Sequence, residues 1–380
     1  MKFIKYIYIT AVLLLLNTAI SAEQNNQLVQ QNLIQNRAII ATEYFNIGNS
    51  FLKLKKYQEA IENFNIAIKY SPGYASAYNG KGMALDDLGK LLEAVENYDL
   101  AIKYNPNFAE AYNNKAVSYR KLGKNEEAII LCNIAIKYKP YFVGAYNNKG
   151  ASLARLGQYE DAMENYDIAI KYEPNSPEAY YNKGIALLNL GDIHGAIENY
   201  DIAIKYRPNY AEAYHNKGLA LAFLGQLQKA IEHFDLAIKY DPSYLKTYCN
   251  KGYILSLLKR YSEAIESCNI AIKYDPNYAD IYYNKGMILE KLGKHQEAVE
   301  NLDIAIKYNP NFAENYLEKG ISLVSLGQYS KAKENFNLAI KYMPNLIAEY
   351  EATIKRLTEF ENFTIAKDYE QKLQILKKYS

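Results

Sequence analysis

The segment PEAYYNKGIALLNLGDIHGAIENYDIAIKYRPNY, residues 177–210, is followed directly by AEAYHNKGLALAFLGQLQKAIEHFDLAIKYDPSY, residues 211–244. Both segments carry tyrosine, glycine and alanine at matching positions, and each has a proline at position 32 of its 34 residues. Prolines recur at this spacing nine times along the chain, at Pro72, Pro106, Pro140, Pro174, Pro208, Pro242, Pro276, Pro310 and Pro344. A fixed period of this length is typical of repeat proteins, so length alone is no guide to domain number here.

Each repeat has the pattern of two helices. Positions 20 and 27 are Ala and positions 4 and 30 are Tyr in all nine repeats, and position 8 is Gly in every repeat except the third, where it is Ala116. Apolar residues recur at helical spacing over positions 2–14 (helix A) and 17–30 (helix B). Gly at position 15 and Pro at position 32 are expected to end these helices. The repeats are residues 41–74, 75–108, 109–142, 143–176, 177–210, 211–244, 245–278, 279–312 and 313–346.

These columns resemble the tetratricopeptide repeat (TPR), in which an aromatic residue at position 4, small residues at 8, 20 and 27, and a proline at 32 define two antiparallel helices. Tyr replaces the usual Trp at position 4 and the usual aliphatic residue at position 30. The resemblance implies an all-α, right-handed superhelical solenoid of nine helix-turn-helix repeats over residues 41–346. Residues 347–380 are predicted to form a C-terminal capping helix that covers the exposed face of the ninth repeat. A dimerisation helix is the alternative.

The N-terminal residues have the pattern of a targeting segment. Lys2 and Lys5 precede an apolar run over residues 7–16, and small residues then lead to Ala22. This pattern predicts a signal peptide over residues 1–22, because the apolar run is shorter than the roughly 20 residues of a membrane-spanning helix. We therefore expect export to a periplasm or beyond, with no membrane contact after cleavage; an uncleaved anchor is the alternative. The Gln- and Asn-rich residues 23–40 are expected to be a flexible lead-in, helical only near the first repeat.

Composition and motifs argue against several classes of function. The 44 basic and 42 acidic residues are balanced, which disfavours nucleic-acid binding. Two of the three cysteines, Cys132 and Cys268, occupy a repeat position that holds Phe or Tyr in most other repeats, and we interpret all three as buried structural thiols. The four histidines form no metal-binding motif, and no P-loop, nucleophile elbow or dinucleotide fingerprint is present. The sequence therefore predicts a non-enzymatic protein with no cofactor and no metal.

In the TPR family, positions 2, 5, 6, 9, 12 and 13 of helix A line a concave groove, and we call the surface that they form the groove face. An asparagine amide can both donate and accept, so a row of them can pair with a peptide backbone. The row at position 6 resembles the asparagine ladder of the TPR superhelix in O-linked GlcNAc transferases; hydrogen bonding within the repeat is the alternative. The row consists of Asn114, Asn148, Asn182, Asn216, Asn250 and Asn284. Variable position 5 adds Tyr181, His215 and Tyr283 to the candidate site.

These features predict a scaffold that binds a protein or peptide partner in its groove. The alternative is a structural or assembly factor of a bacterial envelope or secretion machine, which would use its convex face or its ends. A clamp for a terminal carboxylate is disfavoured, because position 2 is acidic in most repeats, as at Glu110 and Glu314. Oligomeric state has no signature in the sequence.

Overall fold

The computed structural model describes residues 30–31 and 33–380, and within them every regular element is an α-helix. The predicted signal peptide and residues 23–29 of the lead-in lie outside the described residues, whereas residues 33–40 of the lead-in belong to the first helix. No helix in the described part of the chain has both the length and the apolar character needed to span a membrane.

The chain divides into two compact units between Tyr172 and Glu173. Odd-numbered helices up to α17 are helix A of successive repeats, and even-numbered helices up to α18 are helix B. The helices of the first unit are α1 (33–53), α2 (Tyr57–Tyr70), α3 (Ala75–Asp87), α4 (Leu91–Tyr104), α5 (Ala109–Lys121), α6 (Asn125–Tyr138), α7 (Val143–Arg155) and α8 (Tyr159–Tyr172). Those of the second unit are α9 (Pro177–Asn189), α10 (Ile193–Tyr206), α11 (Ala211–Phe223), α12 (Leu227–Tyr240), α13 (Leu245–Leu257), α14 (Tyr261–Tyr274), α15 (Ala279–Lys291), α16 (His295–Tyr308), α17 (Ala313–Ser325), α18 (Tyr329–Tyr342), α19 (Leu346–Glu359) and α20 (Phe363–Tyr379).

Helices A and B of a repeat meet where the side chain at position 24 lies against the bare backbone at position 8. A Cβ added to Gly218 would lie 2.6 Å from Cε1 of Phe234, and one added to Gly320 would lie 2.4 Å from Cε1 of Phe336. Both rings are fully buried, so they have no free space to move into. Glycine at position 8 is therefore required by the ring that packs on it.

In the two repeats with cysteine at position 24, the smaller side chain leaves space for a Cβ at position 8. In the third repeat Cys132 leaves room for Ala116, the one non-glycine residue at position 8. In the seventh repeat a Cβ added to Gly252 would meet nothing closer than 3.5 Å, where Sγ of Cys268 lies. All three cysteines are buried, as predicted, and burial raises the pKa of Cys132 and of Cys268 to about 12. They therefore remain protonated thiols within the packing.

The two tyrosine columns that depart from the usual repeat pattern pack against each other. The rings of Tyr78 (position 4) and Tyr104 (position 30) are stacked with centroids 5.5 Å apart, and those of Tyr316 and Tyr342 at 5.3 Å. Several hydroxyls at position 4 also donate to the carbonyl oxygen of the proline near the end of the preceding repeat, as from Tyr316 to Pro310 at 2.8 Å. Where both contacts form, the pair links a repeat internally and to the turn before it.

The turn between helices A and B uses a left-handed residue at position 15. Gly191, for example, has a φ of 88°. Lys55 and Lys259 occupy this position in the first and seventh repeats and adopt φ values of 58° and 60°. The turn geometry is therefore kept where glycine is absent, at the steric cost that a side chain brings to this region.

The segment after the last repeat forms two helices, α19 and α20, where one capping helix was predicted. The turn between them is possible because Glu361 adopts a left-handed φ of 57° and Asn362 caps α20 by accepting a hydrogen bond from the amide of Ile365. We call Leu346–Tyr379 the C-terminal hairpin. It covers the ninth repeat, since Leu346 and Leu376 lie in one buried cluster with Leu317 and Phe336.

The packing at position 8 yields a paired prediction within the second unit. Gly218→Ala should lower the free energy of unfolding by about 1–3 kcal/mol, because the new methyl group overlaps the Phe234 ring. Gly252→Ala should raise it by up to about 1 kcal/mol, because alanine favours the helix and the space beside Cys268 accepts it. Urea denaturation followed by circular dichroism measures both changes. Equal effects of the two substitutions would contradict the proposed role of the ring.

Candidate functional site

The predicted asparagine row forms hydrogen bonds between neighbouring repeats in the first unit. Nδ2 of Asn114 donates to Oδ1 of Asn79 at 3.1 Å, and Nδ2 of Asn148 donates to Oδ1 of Asn113 at 2.9 Å. In each case position 6 of one repeat bonds to position 5 of the repeat before it. The amides therefore form a double row along the groove face of α3, α5 and α7.

The same bond recurs in the second unit with different acceptors. Nδ2 of Asn216 donates to the hydroxyl of Tyr181 at 3.0 Å, and Nδ2 of Asn250 lies 3.4 Å from Nε2 of His215. Asparagine, tyrosine and histidine differ in shape, but each can accept a hydrogen bond from the asparagine at position 6 of the next repeat. The variation at position 5 is thus also compatible with a common role as hydrogen-bond acceptor.

Asn284 breaks the pattern for a chemical reason. The preceding position 5 is Cys249, whose sulfur is a weak acceptor. Nδ2 of Asn284 instead donates to the carbonyl oxygen of Asp280 in its own helix, at 2.8 Å. Asn182, the remaining member of the row, is half-buried on α9.

His215 is held neutral inside the second unit. Because Asn250 donates to Nε2, the ring proton belongs on Nδ1, which lies 2.9 Å from Oγ1 of Thr247. The ring packs against Tyr244 and Phe234, with centroids 4.8 and 5.7 Å away. Burial lowers the pKa of His215 to about 4. This histidine is a buried link between repeats at neutral pH.

The ninth repeat places two carboxylates on the groove face. Glu314 and Glu318 occupy positions 2 and 6 of α17, one helical turn apart, and Glu318 is only 2% exposed. Burial and the neighbouring charge of Glu318 raise the pKa of Glu314. Tyr283 packs edge-on against Phe312 beside them, with ring centroids 5.5 Å apart, and its burial raises the pKa of its hydroxyl well above the usual value.

The C-terminal hairpin lies over this groove face. At its tip, Nδ2 of Asn362 donates to the carbonyl oxygens of Ala222 and Phe223 at the end of α11, both at 2.9 Å. The ring of Phe360 meets that of Phe223 edge-on at 5.1 Å, and the guanidinium of Arg356 lies over the same ring at 5.3 Å.

Further along α20, two charged side chains pair with helix A residues of later repeats. Nζ of Lys372 lies 2.6 Å from Glu318 and 3.4 Å from Asp368 on its own helix. Asp368 pairs with Lys291 of α15 and accepts from the hydroxyl of Tyr253 of α13 at 3.3 Å. These residues were absent from the predicted site. A sequence signal did exist, since Asp368 and Lys372 lie at i,i+4 on the apolar side of an amphipathic segment.

The environment of His215 predicts a stability change with pH. Because the pKa of His215 is near 4 in the folded state and about 6.5 when unfolded, acid favours the unfolded chain. The contribution is fully present above pH 6.5 and should fall by roughly 2 kcal/mol between pH 7 and pH 5. The control is His215→Tyr with Thr247→Ala, which copies the Tyr181–Ala213 pair of the preceding repeat and removes the titrating group. Urea denaturation at both pH values should show the smaller loss in the control; equal losses would contradict the assignment.

The chain resembles solved structures in fold. A chain of the APC/C hetero-tetramer Cut9-Hcn1 is 17% identical, with a TM-score of 0.59, and the match covers 73% of this chain and 54% of that one. PilF of Pseudomonas aeruginosa is 16% identical, with a TM-score of 0.48 and coverage of 56% and 96%. A thermophilic TPR protein of Thermus thermophilus is 21% identical, with a TM-score of 0.44 and coverage of 48% and 99%. Comparison with curated proteins gives no match.

Family models agree with the columns and the helix pairs described above. Models described as TPR repeat or tetratricopeptide repeat match residues 41–74, 82–142 and 150–346 in total. With Ala at positions 20 and 27 and Pro at 32 of every repeat, and with two antiparallel helices formed by each, this chain belongs to the tetratricopeptide repeat family of protein-interaction scaffolds.

Proposed function

We propose that this chain binds extended peptide segments of a protein partner on the groove face of its first unit. The observation that supports this is the double row of amides formed by Asn79, Asn113, Asn114, Asn147 and Asn148. An inter-repeat bond uses one of the two N–H groups of the donor amide. Its second N–H and its carbonyl oxygen retain the capacity to pair with a peptide backbone.

The surroundings of this row suit a peptide backbone with apolar side chains. Asp86 on the groove face is neutralised by Lys121 and accepts from Ser118 at 2.6 Å. Glu110 at position 2 is paired with Lys139 at 2.7 Å. Met83 at position 9 is 38% exposed and offers an apolar contact. Because Asp86 and Glu110 are paired, recognition beside them would rest mainly on hydrogen bonds and apolar contact.

The proposed chemistry is recognition, because the groups in the double row are carboxamides. A carboxamide is neither a nucleophile nor a general acid or base at neutral pH, but it supplies both partners of a peptide hydrogen bond.

Peptides selected from a displayed random library on the purified protein test this proposal. The double substitution Asn114→Ala and Asn148→Ala should weaken their binding about tenfold, since two amides each contribute roughly 0.5–1.5 kcal/mol. The control is Asn165→Ala on helix B, which removes a comparable local bond from Nδ2 to the carbonyl oxygen of Asp161 at 2.7 Å. Fluorescence anisotropy measures affinity. Undiminished binding by the double variant, with the fold intact by circular dichroism, would remove the amide row as the site.

We further propose that the chain is exported after removal of residues 1–22, on the strength of the basic, apolar and small-residue pattern of that segment. Mass spectrometry of the protein from its native cells should find a mature N-terminus at Glu23 or Ala22. A full-length chain recovered from the cytoplasmic fraction would refute export.

A further inference from the structure

The C-terminal hairpin occupies the groove face that four successive repeats present in the second unit. From its N-terminal cap onward, α20 contacts helix A of the sixth, seventh, eighth and ninth repeats, that is α11, α13, α15 and α17. The end of a solenoid could be covered by packing on the ninth repeat alone. Contacts that reach back to Ala222 exceed what a cap requires.

The centre of this contact is ionic and buried. Lys372 is 12% exposed, Glu318 is 3% exposed and Asp368 is 9% exposed at the side chain. Buried ion pairs must offset a large desolvation cost, so a well-packed apolar contact often gives equal or greater stability. Such pairs do penalise any occupant that lacks the matching charge. The interface therefore has the character of a selective binding site.

The groove supplies the acidic half of that recognition. Glu314 and Glu318 project from one face of α17, beside the half-buried ring of Tyr283. The charge of Glu318 acts on its neighbour Glu314, and a cation that pairs with Glu318 offsets that charge. In the hairpin the ammonium group of Lys372, which lies on a helix, pairs with Glu318.

We propose that the groove face of repeats six to nine is a receptor for a partner helix that presents a lysine to Glu318, and that the C-terminal hairpin is its built-in competitor. The inference rests on the proposed function in that it requires a protein partner. It assigns a second site with a different ligand, because the first unit offers uncharged amides and this one offers a buried acid, Glu318.

The tip of the hairpin is the point where exchange would begin. Asn362 is buried and holds the tip through its two hydrogen bonds to α11. Beside it, Leu188, Leu219 and Phe360 line an open cleft of about 600 Å³. A partner helix could contact this cleft while the rest of the hairpin remains docked.

Asn362→Asp isolates the docking of the tip. The aspartate keeps the helix cap, because it still accepts from the amide of Ile365, but it loses both donors and turns a negative charge toward two carbonyl oxygens. The matched control is Asn105→Asp in the first unit, at a turn position where Asp241 and Asp275 occur in other repeats. A second opening variant is Lys372→Glu, which places like charges opposite Glu318.

The probe is a fluorescent synthetic peptide of residues 346–380, added to the full-length proteins and followed by anisotropy. It should bind the Asn362→Asp and Lys372→Glu chains at least tenfold more tightly than the unmodified chain or the Asn105→Asp control. A peptide carrying Lys372→Glu should lose this binding and regain it on a chain carrying Glu318→Lys alone, in which the chain's own Lys372 faces a like charge. Hydrogen exchange should show that α11–α17 stay protected in each variant.

The claim that the hairpin competes for the groove would be overturned by either of two results. One is equal binding of the peptide to the opened and unmodified chains; the other is no binding to an opened chain whose repeats remain protected. Binding that survives Lys372→Glu in the peptide would overturn the lysine recognition. These outcomes are independent of the amide row. If the Asn114 and Asn148 substitutions leave peptide binding unchanged while the hairpin peptide binds as expected, the second unit is the binding site. If the two experiments give the opposite results, the first unit is the binding site.

Discussion

The contact between the position 24 side chain and the bare backbone at position 8 governs how the rest of the repeat is built. Where the side chain is a ring, as at Phe234 and Phe336, a Cβ at the facing glycine has no room. Where it is cysteine, the facing residue is Ala116 or a glycine with space beside it. The combined volume of the side chains at positions 8 and 24 thus limits how closely helices A and B can approach. Because this contact holds helix A in place, the groove face recurs in every repeat. Its side chains at positions 5, 6 and 9 do not take part in the contact and can therefore differ between repeats.

That surface also shows how one row of side chains serves structure and leaves capacity for recognition. The amides of Asn114 and Asn148 tie each repeat to the one before it through a single N–H. Tyrosine and histidine satisfy the same donor in later repeats. This hydrogen bond stabilises the stack of repeats whichever acceptor is present. The atoms at positions 5 and 6 that the bond does not use differ from repeat to repeat. Structural and recognition roles are therefore compatible in the same residue.

Much of this fold was predictable from the sequence, because the 34-residue period depends on local contacts. The helix pairs follow the predicted repeats, and the burial of Cys132 and Cys268 follows from their place in a mostly aromatic column. The role of position 5 as an acceptor was hidden, since asparagine, tyrosine and histidine look like unrelated choices until the donor is seen. The docking of the hairpin was also hidden. Asn362 meets Ala222 across 140 residues of sequence, and the repeat pattern holds no information about a segment outside the period.

The two groove faces differ in where the cation that pairs with their buried carboxylate comes from. In the first unit Asp86 is paired with Lys121 of the next repeat, so its charge is neutralised within the scaffold itself. In the ninth repeat Glu318 is neutralised by Lys372, which belongs to the hairpin. An occupant that buries Glu318 without supplying a cation would leave a buried acid unpaired, which costs far more than covering a neutral amide. The second groove therefore favours a cationic occupant, and the chain carries such a cation on a helix of its own.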